Sequence, residues 1–207
     1  MKKRLVAALL IALMIITISV PATFAASKHV KMKVFKYVIK SGNTVYCSGG
    51  AGGIYKVTLK NGKVKKTKRL VKHYSWLAGM KKKGKYIYYV EGSAGTTRTL
   101  ARVNIDTGKR KALIRSADYD IEYVIKNKKL YVRVGSFYSE KAVNKVMKLN
   151  GKAVKKTSVR PMNKLEDTNT DGYSVESDPK GKYYYIYLKT PKGRFKIDKI
   201  KQSKILG

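Results

Sequence analysis

The sequence predicts an all-β protein built from about four repeated units, each a four-stranded antiparallel sheet. Apolar and polar residues alternate with a period of two through most of the chain after residue 26, as in strands with one buried face. Glycine-containing turns separate these segments, and a pair formed by an apolar residue and a tyrosine recurs along the chain. Because a single such sheet cannot bury both faces, the units are expected to stack in a propeller-like array.

The first 25 residues have the pattern of a secretory signal peptide. A basic start, Met1 to Arg4, precedes an uncharged run from Leu5 to Val20 and a small-residue stretch that ends at Ala25 and Ala26. We expect cleavage after Ala25 and export of residues 26–207 as one domain, secreted or associated with the cell envelope. The uncharged run is short for a spanning helix, and no second apolar run follows it, so no other transmembrane segment is expected.

The first unit shows how each strand is assigned. Alternating segments cover residues 34–39, 44–47, 54–59 and 64–70. Polar turns or loops separate them, and the last two segments flank Asn61-Gly62, a pair typical of a two-residue hairpin turn. Two later turns, Asp106 to Lys109 and Leu149 to Lys152, place glycine in the same way.

The repeat period comes from the apolar-tyrosine pairs. Successive pairs are 42, 43 and 54 residues apart, and we predict units at about 34–73, 74–117, 118–160 and 161–207; the pairs are Val45-Tyr46, Ile87-Tyr88, Leu130-Tyr131 and Tyr184-Tyr185. Four such units could close a ring or form an open arc. The four recurring tyrosines are expected to be scaffold residues that pack between sheets.

Two phrases of the chain resemble a known type of repeat. GKYIYYVEG, residues 84–92, and TLARVNIDTGKRKALI, residues 99–114, are similar to the tyrosine-rich propeller-type repeats of secreted bacterial proteins of unknown function. The resemblance covers nearly all of the exported part and implies a propeller-like fold. It transfers no catalytic residues.

Cysteine and histidine usage restricts the chemistry. Cys47 is the only cysteine and excludes an intramolecular disulfide; we expect it to be a small buried strand residue. The two histidines, His29 and His73, have no recognisable catalytic partner, and no phosphate loop or nucleophile elbow is present. We therefore predict that the chain is not an enzyme.

The charge is strongly positive and unevenly distributed. The formal net charge is +35, and all twelve acidic residues lie after position 90, whereas residues 28–85 contain seventeen lysines and arginines. Such an excess favours an anionic polymer as partner, although lysines on an outer strand also prevent edge-to-edge aggregation. We expect no nucleic acid partner, because no nucleic-acid-binding motif is present. The predicted anion-binding residues are Lys63, Lys65, Lys66, Lys68, Arg69, Lys81, Lys82 and Lys83.

An acidic segment, DTNTDGYSVESD, follows the third unit. Its oxygen-bearing residues have the spacing of a calcium-binding loop with a glycine at the sharp turn. The alternative is an Asp-Gly turn whose acids pair with nearby lysines. Apart from the candidate Ca²⁺ of this segment, we expect no cofactor. The candidate ligands are Asp167, Asn169, Asp171 and Asp178.

Three classes of function remain after this reading. The main prediction is an exported, non-catalytic module whose basic surface binds an anionic wall polymer or acidic glycan. The second is a structural module that docks another envelope protein through the end of the repeat array, with the charge serving solubility. The third is a hydrolase whose site the sequence does not reveal.

Overall fold

The computed structural model describes residues 30–32, 36–49, 52–72, 76–92, 97–116, 119–136, 142–158, 173–177 and 180–205. These residues form sixteen strands and one short 3-10 helix at Gln202–Lys204. The strands are arranged in four antiparallel sheets of four. The predicted all-β class and its four-stranded units are therefore confirmed. Within this described part, no helix is long and apolar enough to cross a bilayer.

The first three sheets are each formed by consecutive strands. Sheet 1 contains β2 (Lys36–Ser41), β3 (Thr44–Gly49), β4 (Gly52–Lys60) and β5 (Lys63–Arg69). Sheet 2 contains β6 (Trp76–Lys83), β7 (Tyr86–Gly92), β8 (Arg98–Asn104) and β9 (Arg110–Ser116). Sheet 3 contains β10 (Tyr119–Lys126), β11 (Lys129–Ser136), β12 (Val143–Lys148) and the short β13 (Lys155–Lys156).

Sheet 4 joins strands from the two ends of the described chain. β1 (Val30–Met32) pairs antiparallel with β14 (Tyr173–Ser177), which pairs with β15 (Tyr183–Thr190), and β16 (Gly193–Lys201) forms the outer edge. The sheet thus has its first strand from the start of the domain and its other three from the end. This pairing fastens the early strand to the last unit.

The strand order changes the assignment of the last repeat. Second strands begin at Thr44, Tyr86, Lys129 and Tyr173, which are 42, 43 and 44 residues apart. Tyr184 and Tyr185 instead lie in β15, the third strand of sheet 4. The last predicted spacing, 54 residues, therefore runs from the second strand of sheet 3 to the third strand of sheet 4. Measured between second strands alone, the repeat period is nearly constant.

The predicted hairpin glycines adopt the left-handed backbone that these turns require. Gly62, Gly108 and Gly151 have φ values of 75°, 78° and 82°. Asn61 also has a positive φ of 52°, and Lys60 pairs with Lys63, so Asn61-Gly62 is the two-residue turn that its sequence predicts.

Three apolar clusters fill the spaces between neighbouring sheets. Ile54 and Tyr46 of sheet 1 pack with Ile87 and Tyr89 of sheet 2. Similar clusters join sheet 2 to sheet 3 and sheet 4 to sheet 1. The described sheets are therefore contiguous in the order 4, 1, 2, 3, and both faces of sheets 1 and 2 are covered.

Basic side chains also fasten each sheet to a turn of the next. Lys56 donates to the carbonyl oxygen of Ile105 at 3.3 Å, and Arg102 donates to that of Leu149 at 3.1 Å. These two residues stand at equivalent places, since Lys56 pairs with Tyr46 and Arg102 with Tyr88. Part of the positive charge therefore has a structural use in satisfying turn carbonyl groups.

Candidate functional site

A cleft of about 300 Å³ lies between sheet 1 and sheet 4. Sheet 1 contributes one residue from β4 and two from β5, and sheet 4 contributes two from β16. The lining residues are Tyr55, Thr67, Arg69, Ile197 and Asp198. The cleft exists because the first and last sheets pack together, so its walls come from distant parts of the sequence.

Three polar side chains meet in this cleft. The Tyr55 hydroxyl donates a hydrogen bond to Asp198 Oδ2 at 2.8 Å, and an Arg69 guanidinium nitrogen lies 3.6 Å from the same oxygen. The backbone N–H of Lys199 donates to Asp198 Oδ1 at 2.8 Å. Both carboxylate oxygens are therefore held in place, and the Asp198 side chain remains 25% exposed.

Local strand geometry brings these residues together. Tyr55 pairs with Arg69 across β4 and β5, so both side chains lie on one face of sheet 1. In sheet 4, Ile186 pairs with Asp198 and Tyr187 with Lys196, which leaves Ile197 as an extra residue. Such a bulge changes the direction of neighbouring side chains. It places Ile197 and Asp198 together on the wall of the cleft.

The surroundings of the cleft are electropositive. β5 carries five basic residues and no acid, and Asp198 is the only acidic residue of β4, β5 and β16. The Arg69 side chain is half exposed. A negatively charged molecule would therefore be attracted to the cleft, where it would meet one fixed carboxylate.

The structure separates the predicted anion-binding residues into two places. Five lie on β5, the outer strand of sheet 1, and three lie on β6, the first strand of sheet 2. Lys63, Lys65 and Lys66 are exposed, whereas Lys68 Nζ donates to the Asp106 carbonyl oxygen at 2.6 Å and Arg69 belongs to the cleft. On β6, Lys81 and Lys82 are half-buried and Lys83 is exposed.

The candidate calcium ligands Asp167, Asn169, Asp171 and Asp178 lie outside the described residues, as do His29 and His73. Among the residues that the structure describes, no group of three or more His, Cys, Asp or Glu side chains could hold a metal ion. The cleft itself offers one carboxylate, which is a poor donor set for a divalent cation.

Burial accounts for the protonation state of two side chains on β3, Tyr46 and Cys47. Cys47 is fully buried, as its sequence context predicts, and burial raises the pKa of its thiol well above the ordinary value. Burial, and to a lesser extent the negative charge of Asp106, raises the pKa of the neighbouring Tyr46. Both groups stay protonated and belong to the core, so neither is a nucleophile.

Sequence reasoning missed a buried ion pair in sheet 2. Glu91 on β7 is 4% exposed, and both Arg110 Nε, at 3.3 Å, and Arg110 Nη2 donate to its carboxylate. The sequence gives little sign of it, because Glu91 follows the apolar run of β7. A buried carboxylate with a two-pronged arginine partner is satisfied within the sheet.

Comparison with known proteins indicates the fold. No protein-family model matches the chain, and a search of curated proteins finds no significant match. Solved structures do match. Oligogalacturonate lyase from Vibrio parahaemolyticus has a TM-score of 0.43 at 10% identity and covers 82% of this chain, and an oligogalacturonate lyase in complex with manganese has a TM-score of 0.41 at 8% identity over the same share.

A third structure is a protein from Bacteroides fragilis NCTC 9343 that is provisionally assigned as a 6-phosphogluconolactonase. Its TM-score is 0.35 at 16% identity, over 87% of this chain. The chain spans 53% to 57% of the length of the three structures. The likeness is therefore one of propeller-like fold, and the substrates and metal of those proteins do not transfer with it.

These comparisons correct one sequence-based prediction. The sequence predicts a non-catalytic binding or docking module that is not an enzyme, and this prediction is wrong, because the structures that share the propeller-like fold carry the names of enzymes. The physical reason for the error is that the polar residues of the cleft are far apart in the sequence. Tyr55 and Asp198, which meet in the cleft, are 143 positions apart.

Proposed function

We propose that the protein is a hydrolase that acts outside the cytoplasm on an anionic polymer, with its site in the cleft between sheets 1 and 4. The observation that carries this proposal is the Tyr55, Asp198 and Arg69 cluster, in which one partly exposed carboxylate accepts two hydrogen bonds and has an arginine 3.6 Å away, in basic surroundings. The signal-like N-terminus supports export, and the net charge supports an anionic substrate.

Each residue of the cluster has a distinct role in this proposal. Arg69, half exposed, binds an anionic group of the substrate next to the bond that is cleaved. Asp198 takes a proton from the attacking water as the new bond to oxygen forms, and the leaving oxygen takes a proton from solvent in the open cleft. Tyr55 is a positioning residue, because its hydroxyl holds Asp198 Oδ2.

The experiment is a cleavage assay with the exported part, residues 26–207. It would be incubated with polyol-phosphate, uronate and nucleic acid polymers, and new chain ends would be counted. We expect cleavage of at least one polymer and a loss of about 100-fold or more in Asp198→Asn. This variant keeps the shape of the side chain and can still accept the Tyr55 hydrogen bond.

Asp106→Asn is the matched control. Like Asp198 with Arg69, Asp106 forms an ion pair at 3.6 Å, with Lys56, but it lies on an exposed turn of sheet 2 away from the cleft. Its variant should cleave at the wild-type rate. Equal rates in the wild type and Asp198→Asn, or no cleavage of any polymer, would rule the proposal out.

A further inference from the structure

The face of sheet 4 that points away from sheet 1 carries tyrosine rings with lysine and arginine side chains beside them. Tyr183, Tyr185 and Tyr187 alternate along β15, and their side chains lie on the face opposite to Ile186 and Leu188, which pack against sheet 1. Cross-strand pairing places Lys199 opposite Tyr185 and Lys196 opposite Tyr187. Residues that pair across strands share a face, so the basic residues stand beside the rings.

The rings hold these cations at short distances. The Arg194 guanidinium carbon lies 3.7 Å from the centre of the Tyr187 ring, and Lys199 Nζ lies 4.0 Å from that of Tyr183. Lys196 Nζ and Lys199 Nζ lie 5.4 and 5.6 Å from the centre of the Tyr185 ring. Contacts of this kind stabilise a cation above the ring. The three tyrosines therefore restrict long side chains that would otherwise be mobile.

On β15 and β16 no acid lies beside these cations, and the register of sheet 4 pairs Glu176 of β14 with Tyr185. Asp198 is the only acidic residue of β15 and β16, and its carboxylate bonds Tyr55 in the cleft on the other face. Arg194, Lys196 and Lys199 are exposed, whereas the tyrosines are half-buried beneath them. The exposed cations of β16 thus form a row of oriented positive groups, and the complement of this row is a row of negative groups.

The geometry points to a polyol-phosphate chain as the occupant, and we infer that this face binds the polymer that the proposed hydrolase cleaves. Residues two positions apart on a strand, such as Arg194 and Lys196, are separated by about 7 Å. Phosphates joined through a three-carbon unit recur at a comparable distance. Nucleic acid fits less well, since stacking of bases requires free aromatic faces and the cations occupy these rings.

The inference rests on the proposed function for its substrate, but its test is a binding measurement. Synthetic poly(glycerol phosphate) would be titrated into the Asp198→Asn chain, which leaves the polymer intact, over a range of salt concentrations. In the face variant, Arg194, Lys196 and Lys199 are replaced by glutamine. We expect its affinity to fall about tenfold or more and the slope of log K against log salt to shrink by about 2, as for three lost phosphate contacts.

The control variant removes the same charge from another edge, by replacing Lys63, Lys65 and Lys66 of β5 with glutamine. These residues are exposed and are not among those that line the cleft. It should retain most of the affinity and slope. Tyr185→Leu, which keeps all cations but removes the ring between Lys196 and Lys199, should weaken binding by about two- to fivefold. Unchanged melting curves would show that the variants are folded.

An equal loss in the face and control variants would overturn the inference, because net charge alone would then explain binding. Tighter binding of single-stranded DNA or polygalacturonate than of poly(glycerol phosphate) would also overturn it. Failure of the two proposals can be told apart. If the face variant loses affinity but the wild type cleaves no polymer, only the proposed hydrolase activity is rejected. If the wild type cleaves the polymer but the face variant binds it as tightly as the Asp198→Asn chain does, only the proposed binding face is rejected.

Discussion

At the scale of single residues, burial decides which polar groups can exchange protons with solvent and which only stabilise the fold. Cys47 is fully buried beside apolar neighbours of sheets 1 and 4, whereas Asp198 keeps a quarter of its side chain exposed. Similar donors surround Asp198 and Glu91, but Asp198 lines a cleft, whereas Glu91 is buried within sheet 2. A group that water and substrate can reach is the one that can exchange protons.

The thiol of Cys47 should make stability depend on pH. Because burial raises its pKa, the unfolded chain loses the thiol proton first, and stability is lost as pH rises above the ordinary thiol value of about 8.5. Between pH 8 and 10 the wild type should lose up to about 1.4 kcal/mol per pH unit more than Cys47→Ala. Urea unfolding at several pH values measures this difference, and parallel pH profiles would contradict it.

At the scale of the elements, the strands and turns follow from local sequence, but the long-range pairings do not. The Asn61-Gly62 turn and the buried position of Cys47 were predictable, because each depends on near neighbours. The assignment of the last repeat was not. β14, YSVES, has one tyrosine, whereas β15, YYYIYLKT, has four, so the repeated pair of an apolar residue and a tyrosine points to β15 instead. The bulge at Ile197 and the meeting of Tyr55 with Asp198 likewise depend on sheet packing.

Gly53 at the start of β4 shows how closely two segments can approach. A Cβ atom at this position would lie 2.0 Å from the carbonyl oxygen of Val71 and 2.5 Å from that of Lys72. The chain after β5 returns to this place, where the backbone N–H of Leu70 donates to the carbonyl oxygen of Ile54 at 2.7 Å. Only glycine leaves room for this contact.

Gly53→Ala should therefore reduce the free energy of unfolding by roughly 3 kcal/mol, since backbone atoms must move apart. Gly42→Ala is the control. Gly42 has a φ of 56° but no atom within 4 Å of a Cβ, so its variant should lose only about 1 kcal/mol, the cost of a left-handed alanine. Denaturant unfolding of both variants compares the two effects, and equal losses would show that the close approach is unimportant.

At the scale of the whole molecule, the pairing of β1 with β14 links the beginning and end of the domain. The ladder contains three residue pairs, from Val30 with Ser177 to Met32 with Val175. Sheet 4 forms one wall of the cleft, so the position of Asp198 depends on a sheet that the early strand completes. The stability of sheet 4 and the proposed activity of the cleft should therefore be coupled through this strand.

Removal of residues 26–32 should destabilise sheet 4 by roughly 2 kcal/mol, as expected for a short ladder of hydrogen bonds. Amide exchange in β14 and β15 should become faster than in β7 and β8 of sheet 2. Removal of residues 26–29 alone, which keeps β1, is the control. If both truncated chains exchange at wild-type rates, β1 does not hold the last sheet.

The most direct test of the account is cleavage of the polymer substrate in water enriched in heavy oxygen, followed by mass spectrometry of the products. The account predicts that the wild type places one heavy oxygen atom in each pair of new chain ends and that Asp198→Asn makes no labelled ends above background, because Asp198 takes the proton of the attacking water. Cleavage without label, or equal labelling by both proteins, would contradict it.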